Sequence, residues 1–210
     1  MMEREREKLK VYIVGVGGQG TLTVAKLLGE AALESGLPAV VSEVHGMAQR
    51  GGVVETSVLL GGYRGPIIGK GGADVILAFE PLEALRALPK ALSETWLIVN
   101  TYRIKPITVA LKLGEYPDLE EALAVAEAKV AQLLRLNATE LAKQAGAALA
   151  TNMVMLGALA ATGLLPFPSE VLLTKIIEFA PRLREVNEKA YLLGYEEVER
   201  LRREARVGER

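Results

Sequence analysis

The feature that most restricts the fold is a glycine-rich turn that follows a short β-branched run near the start of the chain. Val11 to Gly15 has the sequence VYIVG, and Gly15 to Gly20 has the sequence GVGGQG, which satisfies the pattern G-x-G-x-x-G. Apolar residues then recur at helical spacing from Leu22 to Ala32. A strand, a tight turn and a helix in this order are typical of the first unit of a Rossmann-like fold.

This turn is compatible with two roles. Its glycines allow a ligand to approach the backbone closely, and the free N–H groups at the start of the helix can bind a phosphate or a carboxylate. The same turn can also serve only to pack the helix on the strand, and the sequence leaves both roles open. The candidate cofactor-binding residues of the turn are Gly15, Gly17, Gly18, Gln19 and Gly20.

Short apolar runs alternate with helical patterns along the rest of the first half of the chain. This alternation predicts an α/β fold, a Rossmann-like three-layer sandwich with a mostly parallel sheet and a helical C-terminal region. The segment Ala122 to Leu136 is ambiguous, because Val130 to Asn137 fits either a helix or a strand. The other predicted elements are strands at Ala39–Val44, Val53–Leu60, Val75–Phe79 and Trp96–Asn100, a helix at Pro81–Leu92, and helices from Thr139 onward with breaks at Gly163, Pro166, Pro168 and Pro181.

The length of 210 residues predicts one domain over residues 1–210, with a charged extension at 1–10 and a mixed-charge surface helix at 195–210. The run Gly146 to Leu165 is apolar, but Gly, Thr and Asn interrupt it, which favours a buried helix over a membrane span. The first ten residues lack the apolar core of a secretory signal, so the protein is expected in the cytoplasm.

The composition argues against several classes of function. The chain has no cysteine, so it cannot form disulfides or supply thiolates to zinc or to an iron–sulfur cluster. The formal net charge is −1 and no internal stretch concentrates Lys or Arg, so nucleic acid is not an expected partner. With a single histidine, acid–base machinery is scarce. No metal site and no catalytic residue are therefore assigned to this chain.

A second glycine-rich loop follows the predicted second strand. Glu43 lies 23 residues after Gly20, near the position where a dinucleotide fold places the acid that binds the ribose. Arg50 offers fixed planar donors to a phosphate or carboxylate, and His45 is a candidate general base, although a lone His or Arg is more often a structural residue. The candidate cofactor-binding residues of this region are Glu43, His45, Arg50, Gly51 and Gly52.

Three motifs in order bring a known family into view: GVGGQG at Gly15–Gly20, SEVHGMAQRGG at Ser42–Gly52 and ADVILAFEPLEAL at Ala73–Leu85. The chain resembles the gamma-type domain of 2-oxoacid:ferredoxin oxidoreductases, and the middle motif is most similar to the small (beta) subunit of indolepyruvate:ferredoxin oxidoreductases. The resemblance continues through Asn152–Gly157 and Asn187–Tyr195.

The resemblance implies the reaction. In this family a 2-oxoacid, here an aryl 2-oxoacid such as indolepyruvate, is oxidatively decarboxylated with coenzyme A to acyl-CoA and carbon dioxide while ferredoxin is reduced. Thiamine diphosphate, magnesium and iron–sulfur clusters are then expected on a large partner subunit, which passes electrons to ferredoxin, and a homodimer is an option for the isolated chain. The chain lacks the G-D-G and N-N pattern of a thiamine diphosphate site, so in isolation it is expected to be inactive.

Three alternatives remain at this point. One is the gamma subunit of a pyruvate-type or 2-oxoglutarate-type oxidoreductase. The second is a stand-alone NAD(P)-binding or flavin-binding protein that uses the same turn. The third is a purely structural interaction subunit.

Overall fold

The computed structural model describes residues 7–45, 52–104, 116 and 118–208. Six strands form one sheet in the order β2-β3-β1-β4-β5-β6. β4 is parallel to β1 and to β5, and β6 is parallel to β5, whereas β3 is antiparallel to both β1 and β2. The strands are β1 Leu9–Val16, β2 Ala39–His45, β3 Val53–Leu60, β4 Val75–Ala78, β5 Trp96–Asn100 and β6 Gln132–Leu136.

Helices cover both faces of the sheet within the described part of the chain. α1, α4, α5, α6 and α7 share one apolar cluster on one face, while α2 and α3 share the second cluster on the other face. The helices are α1 Thr21–Glu34, α2 Pro81–Ala87, α3 Leu119–Glu127, α4 Ala138–Ala145, α5 Thr151–Ala160, α6 Ser169–Phe179 and α7 Arg184–Gly208, with 3₁₀ turns at Leu88–Lys90, Ala148–Ala150 and Pro181–Leu183.

The predicted three-layer α/β sandwich with a mostly parallel sheet is confirmed. The ambiguous segment contains both elements, because Asp118 caps α3 and Asn137 caps α4, with β6 between them. The predicted breaks at Gly163 and the prolines separate α5, α6 and α7. Among the described residues no helix is long and apolar enough to cross a membrane.

Three boundaries differ from the predictions. The charged extension ends earlier, because β1 begins at Leu9, whose side chain is fully buried. The predicted helix at Pro81–Leu92 is divided into α2 and a 3₁₀ turn, because Pro89 has no N–H to continue the α-helical hydrogen bonds. The terminal helix is not confined to the surface, since α7 starts at Arg184 and Val198 is fully buried.

The long helix α7 crosses α5 at two glycines. A Cβ atom built on Gly157 would lie 1.9 Å from the carbonyl oxygen of Tyr191, and one built on Gly194 would lie 2.0 Å from the carbonyl oxygen of Val154. The backbones therefore touch directly, as small residues allow. This crossing explains the motifs Asn152–Gly157 and Asn187–Tyr195 as two halves of one packing contact.

Candidate functional site

The carboxyl ends of the parallel strands form the candidate site. After β1 the chain enters α1 on one face of the sheet, whereas after β4 it enters α2 on the opposite face. β1 and β4 are neighbours, so the change of face occurs between them. Open α/β sheets bind ligands in the crevice at such a switch point.

A side chain of the protein itself bridges this switch point. The Gln19 carboxamide accepts the N–H of Val16 at 2.7 Å and donates to the carbonyl oxygen of Phe79 at 2.9 Å. The Asn100 amide donates to the same carbonyl at 3.1 Å. Gln19 thereby ties the end of β1 to the end of β4, where a dinucleotide fold leaves room for a pyrophosphate.

The glycines of the turn differ in which atoms would contact a Cβ atom added to them. A Cβ on Gly15 would lie 2.8 Å from Gln19 Oε1, and a Cβ on Gly20 would lie 2.7 Å from Asn152 Nδ2. These two glycines make room for protein side chains. Gly18 is different, because its φ of +101° favours glycine and no atom of the described residues lies within 4 Å of its Cβ position.

Gly18 opens onto a crevice of about 150 Å³. Two threonine hydroxyls lie in its lining, and Thr139 Oγ1 accepts a hydrogen bond from Asn100 Nδ2 at 3.1 Å. Thr151 donates to the carbonyl oxygen of Ala148 at 2.7 Å. The described residues that line the crevice are Gly18, Gln19, Tyr102, Ile104, Thr139, Ala148, Leu149 and Thr151.

The two predicted motifs meet through the backbone. The N–H of Gly17 donates to the carbonyl oxygen of Gly52 at 2.9 Å, so the end of the second loop lies against the glycine turn. Arg50, Gly51 and the His45 side chain lie outside the described residues. Their predicted binding roles, like those of the turn glycines, stay predictions.

Glu43 does not occupy the place that the dinucleotide pattern predicts. It pairs with Thr56 of β3, and β3 separates β2 from β1. At about 4.8 Å per strand, Glu43 is therefore roughly 10 Å from β1 across the sheet. In a dinucleotide fold the acid ends the strand directly beside β1, so the strand order does not support this rationale, and the binding role of Glu43 stays a prediction.

Sequence reasoning missed a buried carboxylate beside the crevice. Glu80 follows β4, is fully buried and accepts the N–H groups of Leu82 at 2.7 Å and Glu83 at 3.2 Å as the cap of α2. Its other oxygen accepts the N–H of Ile104 at 3.4 Å and the hydroxyl of Tyr116. Pro81 at the first helical position was a signal for this cap.

Glu83 adds a second buried acid on α2. Burial is the main cause that raises the pKa of its carboxyl group, with Glu80 and Glu55 contributing, while Arg86 opposes the shift from 2.8 Å. Oε2 of Glu83 is buried and has no hydrogen-bond partner among the described residues. Desolvation likewise raises the pKa of Tyr116 well above its usual range, and the Glu80 contact adds to the shift.

Fold and site together define a Rossmann-like α/β chain whose switch point is closed by its own glutamine and which has a small crevice beside it. The chain belongs to the pyruvate ferredoxin/flavodoxin oxidoreductase family, whose model matches residues 10–197. The family resemblance noted from the motifs is thereby confirmed.

Two relatives are similar over nearly their whole length. The chain is 45% identical over 186 residues to indolepyruvate oxidoreductase subunit IorB of Methanothermobacter thermautotrophicus. This match covers 88% of this chain and 95% of the relative. It is 40% identical to the subunit of the same name in Archaeoglobus fulgidus, over 91% of this chain and 96% of the relative.

The fold is likewise similar to that of a solved structure. The gamma subunit of a keto/oxoacid ferredoxin oxidoreductase from Geobacter sulfurreducens superposes with a TM-score of 0.65 at 25% identity, over 90% of this chain and 98% of the other. The protein is therefore a subunit of an oxidoreductase complex of the 2-oxoacid:ferredoxin class.

Proposed function

We propose that this chain is the small subunit of an oxidoreductase that converts an aryl 2-oxoacid, coenzyme A and oxidised ferredoxin to acyl-CoA, carbon dioxide and reduced ferredoxin. The relatives named indolepyruvate oxidoreductase subunits support the aryl substrate, because they match this chain at 40–45% identity over nearly their whole length. The single observation that carries the proposal is the 45% identity to one of these subunits over 88% of this chain and 95% of the relative.

The redox groups belong to a partner in this proposal. The chain has no cysteine, so its donor set does not fit an iron–sulfur cluster. It also lacks the G-D-G and N-N pattern through which magnesium thiamine diphosphate would be held. A large partner subunit in the cytoplasm supplies both groups, and ferredoxin receives electrons from that subunit.

The contribution of this chain is ligand positioning at the carboxyl edge of the sheet. Gly18 leaves open space beside the turn, and Gly17 holds the end of the Arg50-containing loop next to it. Arg50 provides planar donors to a coenzyme A phosphate or to the 2-oxoacid carboxylate. The chain's own part is to bind and orient ligand, and no proton transfer is assigned to it.

Two observations disfavour a stand-alone NAD(P) or flavin enzyme. Gln19 occupies the switch point with two hydrogen bonds, and Glu43 lies one strand too far from the turn to bind a ribose. Kinetics distinguish the proposed ligand-positioning role from a purely structural role. If the chain were purely structural, variants in its loops would lose assembly but would not alter turnover within an assembled complex.

Co-expression with a candidate large subunit tests the proposal. We expect viologen reduction that requires both chains and coenzyme A and is faster with indolepyruvate than with pyruvate. The purified single chain with thiamine diphosphate should be inactive. Turnover by the single chain, or an assembled complex indifferent to coenzyme A, would contradict the proposal.

A further inference from the structure

The crevice beside Gly18 has a lining that is uncharged where the structure describes it. Its volume is about 150 Å³, and none of the eight described lining residues carries a charge. Lys143 Nζ lies 5.8 Å from the centroid of the Tyr102 ring but is not among the described lining residues. Because the described lining itself is uncharged, it favours a neutral group over an ion that would lose its hydration there.

The crevice matches one aromatic ring in size. A cavity of about 150 Å³ in a protein interior is large enough to hold benzene. Here the volume lies between apolar side chains, Ile104 and Leu149 among them, and the polar lining atoms near it are hydroxyl and amide groups. Such groups hydrogen-bond to the edge of a heteroaromatic ring while the apolar side chains contact its faces.

The rim of the crevice exposes apolar surface that a ring would cover. Leu149 is 88% exposed and Tyr102 is 43% exposed, although both line the crevice. By contrast Thr139 and Thr151 are buried and form its floor. A buried polar floor beneath an exposed apolar rim is the arrangement that a small-molecule site needs to fix orientation and exclude water.

The neighbouring contacts hold these walls in place. Asn100 connects the floor to the switch point, because its amide donates to Thr139 Oγ1 and to the carbonyl oxygen of Phe79. Glu80 fixes the wall, because it accepts the N–H of Ile104. The crevice is thus preorganised by contacts that do not involve a ligand.

We propose that this crevice is a subsite for an uncharged planar aromatic ring. The source of the ring rests on the function proposed above, in which two substrates carry one: the aryl group of the 2-oxoacid and the purine of coenzyme A. Both present the same chemistry to the crevice. The ring enters past Leu149 and lies against Tyr102, while any charged part of the molecule remains outside.

Binding of ring probes to the full chain tests the subsite without the partner subunit. Indole and adenosine are titrated separately, and the amide resonances of Gly18 and Thr151 are followed by ¹H–¹⁵N NMR. At least one probe should shift both resonances. Leu149→Glu, which removes apolar contact surface from the exposed rim, should weaken binding of that probe about threefold or more. Leu33→Glu is the matched control, because Leu33 is 63% exposed on α1 and does not line the crevice.

Two outcomes of the titration would overturn the subsite. One is that neither probe shifts the two resonances, and the other is that Leu149→Glu and Leu33→Glu bind the probe equally well. Because this measurement uses the chain alone, its result stands even if co-expression with a large subunit gives no 2-oxoacid-dependent turnover. Failure of the subsite and failure of the proposed function are therefore distinguishable.

Steady-state kinetics of the assembled complex identify the source of the ring. If the aryl group occupies the crevice, Leu149→Glu should raise the KM for indolepyruvate and leave the KM values for pyruvate and coenzyme A unchanged. If the purine occupies it, the KM for coenzyme A should rise with either 2-oxoacid. An assembled Leu149→Glu complex with all three KM values unchanged would overturn the subsite as a part of the working enzyme.

Discussion

Gly157→Ala should destabilise the protein strongly, because the added methyl group would meet the backbone of another helix. In the structure the new Cβ would lie 1.9 Å from the carbonyl oxygen of Tyr191 and 3.0 Å from the amide nitrogen of Tyr195. Non-bonded carbon and oxygen atoms do not approach closer than about 3.3 Å. The helices α5 and α7 must therefore separate by more than about 1 Å at their crossing.

The cost follows from what this separation disrupts. A gap of about 0.5–1 Å already forfeits a quarter to a half of the dispersion energy of the contacting atoms, and the contact lies within the larger apolar cluster of the protein. Overpacking of a core costs about 1–3 kcal/mol and sometimes more. Because rigid backbone is the obstacle here, we expect about 3 kcal/mol or more, equivalent to a fall in Tm of roughly 6–12 °C.

Gly29→Ala is the matched control on α1. Gly29 is also a buried helical glycine, but its Cβ would meet only Val41 Cγ2 at 3.4 Å, an ordinary contact. Alanine is favoured over glycine within a helix by about 1 kcal/mol, so this variant should be as stable as the parent or more stable. Calorimetry or urea unfolding of both variants checks the difference. Equal stability of Gly157→Ala and Gly29→Ala would refute the reasoning.

Three further predictions concern the site. Glu80→Gln should cost about 2 kcal/mol, because four donors converge on a carboxylate and an amide has only one acceptor oxygen; thermal unfolding should show a smaller loss for Asp118→Asn, whose cap is exposed. Glu83→Gln should stabilise the protein at pH 7, because burial disfavours the carboxylate that Glu83 carries there. The raised pKa of Glu83 means that folding favours its protonated form, so the advantage of Gln should grow as pH rises from about 4.5 and vanish in acid, and a pH-independent difference would contradict this. Arg50→Lys should assemble normally but raise the KM for coenzyme A or for the 2-oxoacid, with a loss of about 1–3 kcal/mol, because Lys lacks the planar fork; unchanged KM values for both ligands in the assembled complex would exclude direct contact.

Local patterns sufficed to predict most elements of the fold. β1, β3 and β5 are apolar runs bounded by turn residues, and the turn at Gly15–Gly20 lies where its glycines indicate. The reversal of β3 was not predictable in the same way. It depends on β3 inserting between β1 and β2, a pairing between residues distant in sequence that no local period specifies.

The candidate site was only partly predictable, because motifs indicate which residues matter but not which residues they contact in the folded chain. Gln19 was predicted as a cofactor-binding residue of the turn, but its side chain hydrogen-bonds to the backbone of Val16 and Phe79. Glu80 carried a capping signal, but its contacts with Ile104 and Tyr116 come from a distant segment. Only Gly18 and Gln19 of the crevice belong to a motif, and its other walls come from three separate parts of the chain.

The glycines at positions 20 and 157 both make room for packing that involves α5. Asn152 is the first-turn residue of α5, and it occupies the space that a side chain on Gly20 would need. Gly157, one and a half turns later on the same helix, admits the backbone of α7. The turn after β1 and the last helix, α7, therefore both pack closely against α5. Glycine at positions 15, 20 and 157 is required by packing within the chain. At Gly18 the positive φ favours glycine, and among the described residues the space beside its Cβ position is open to a ligand.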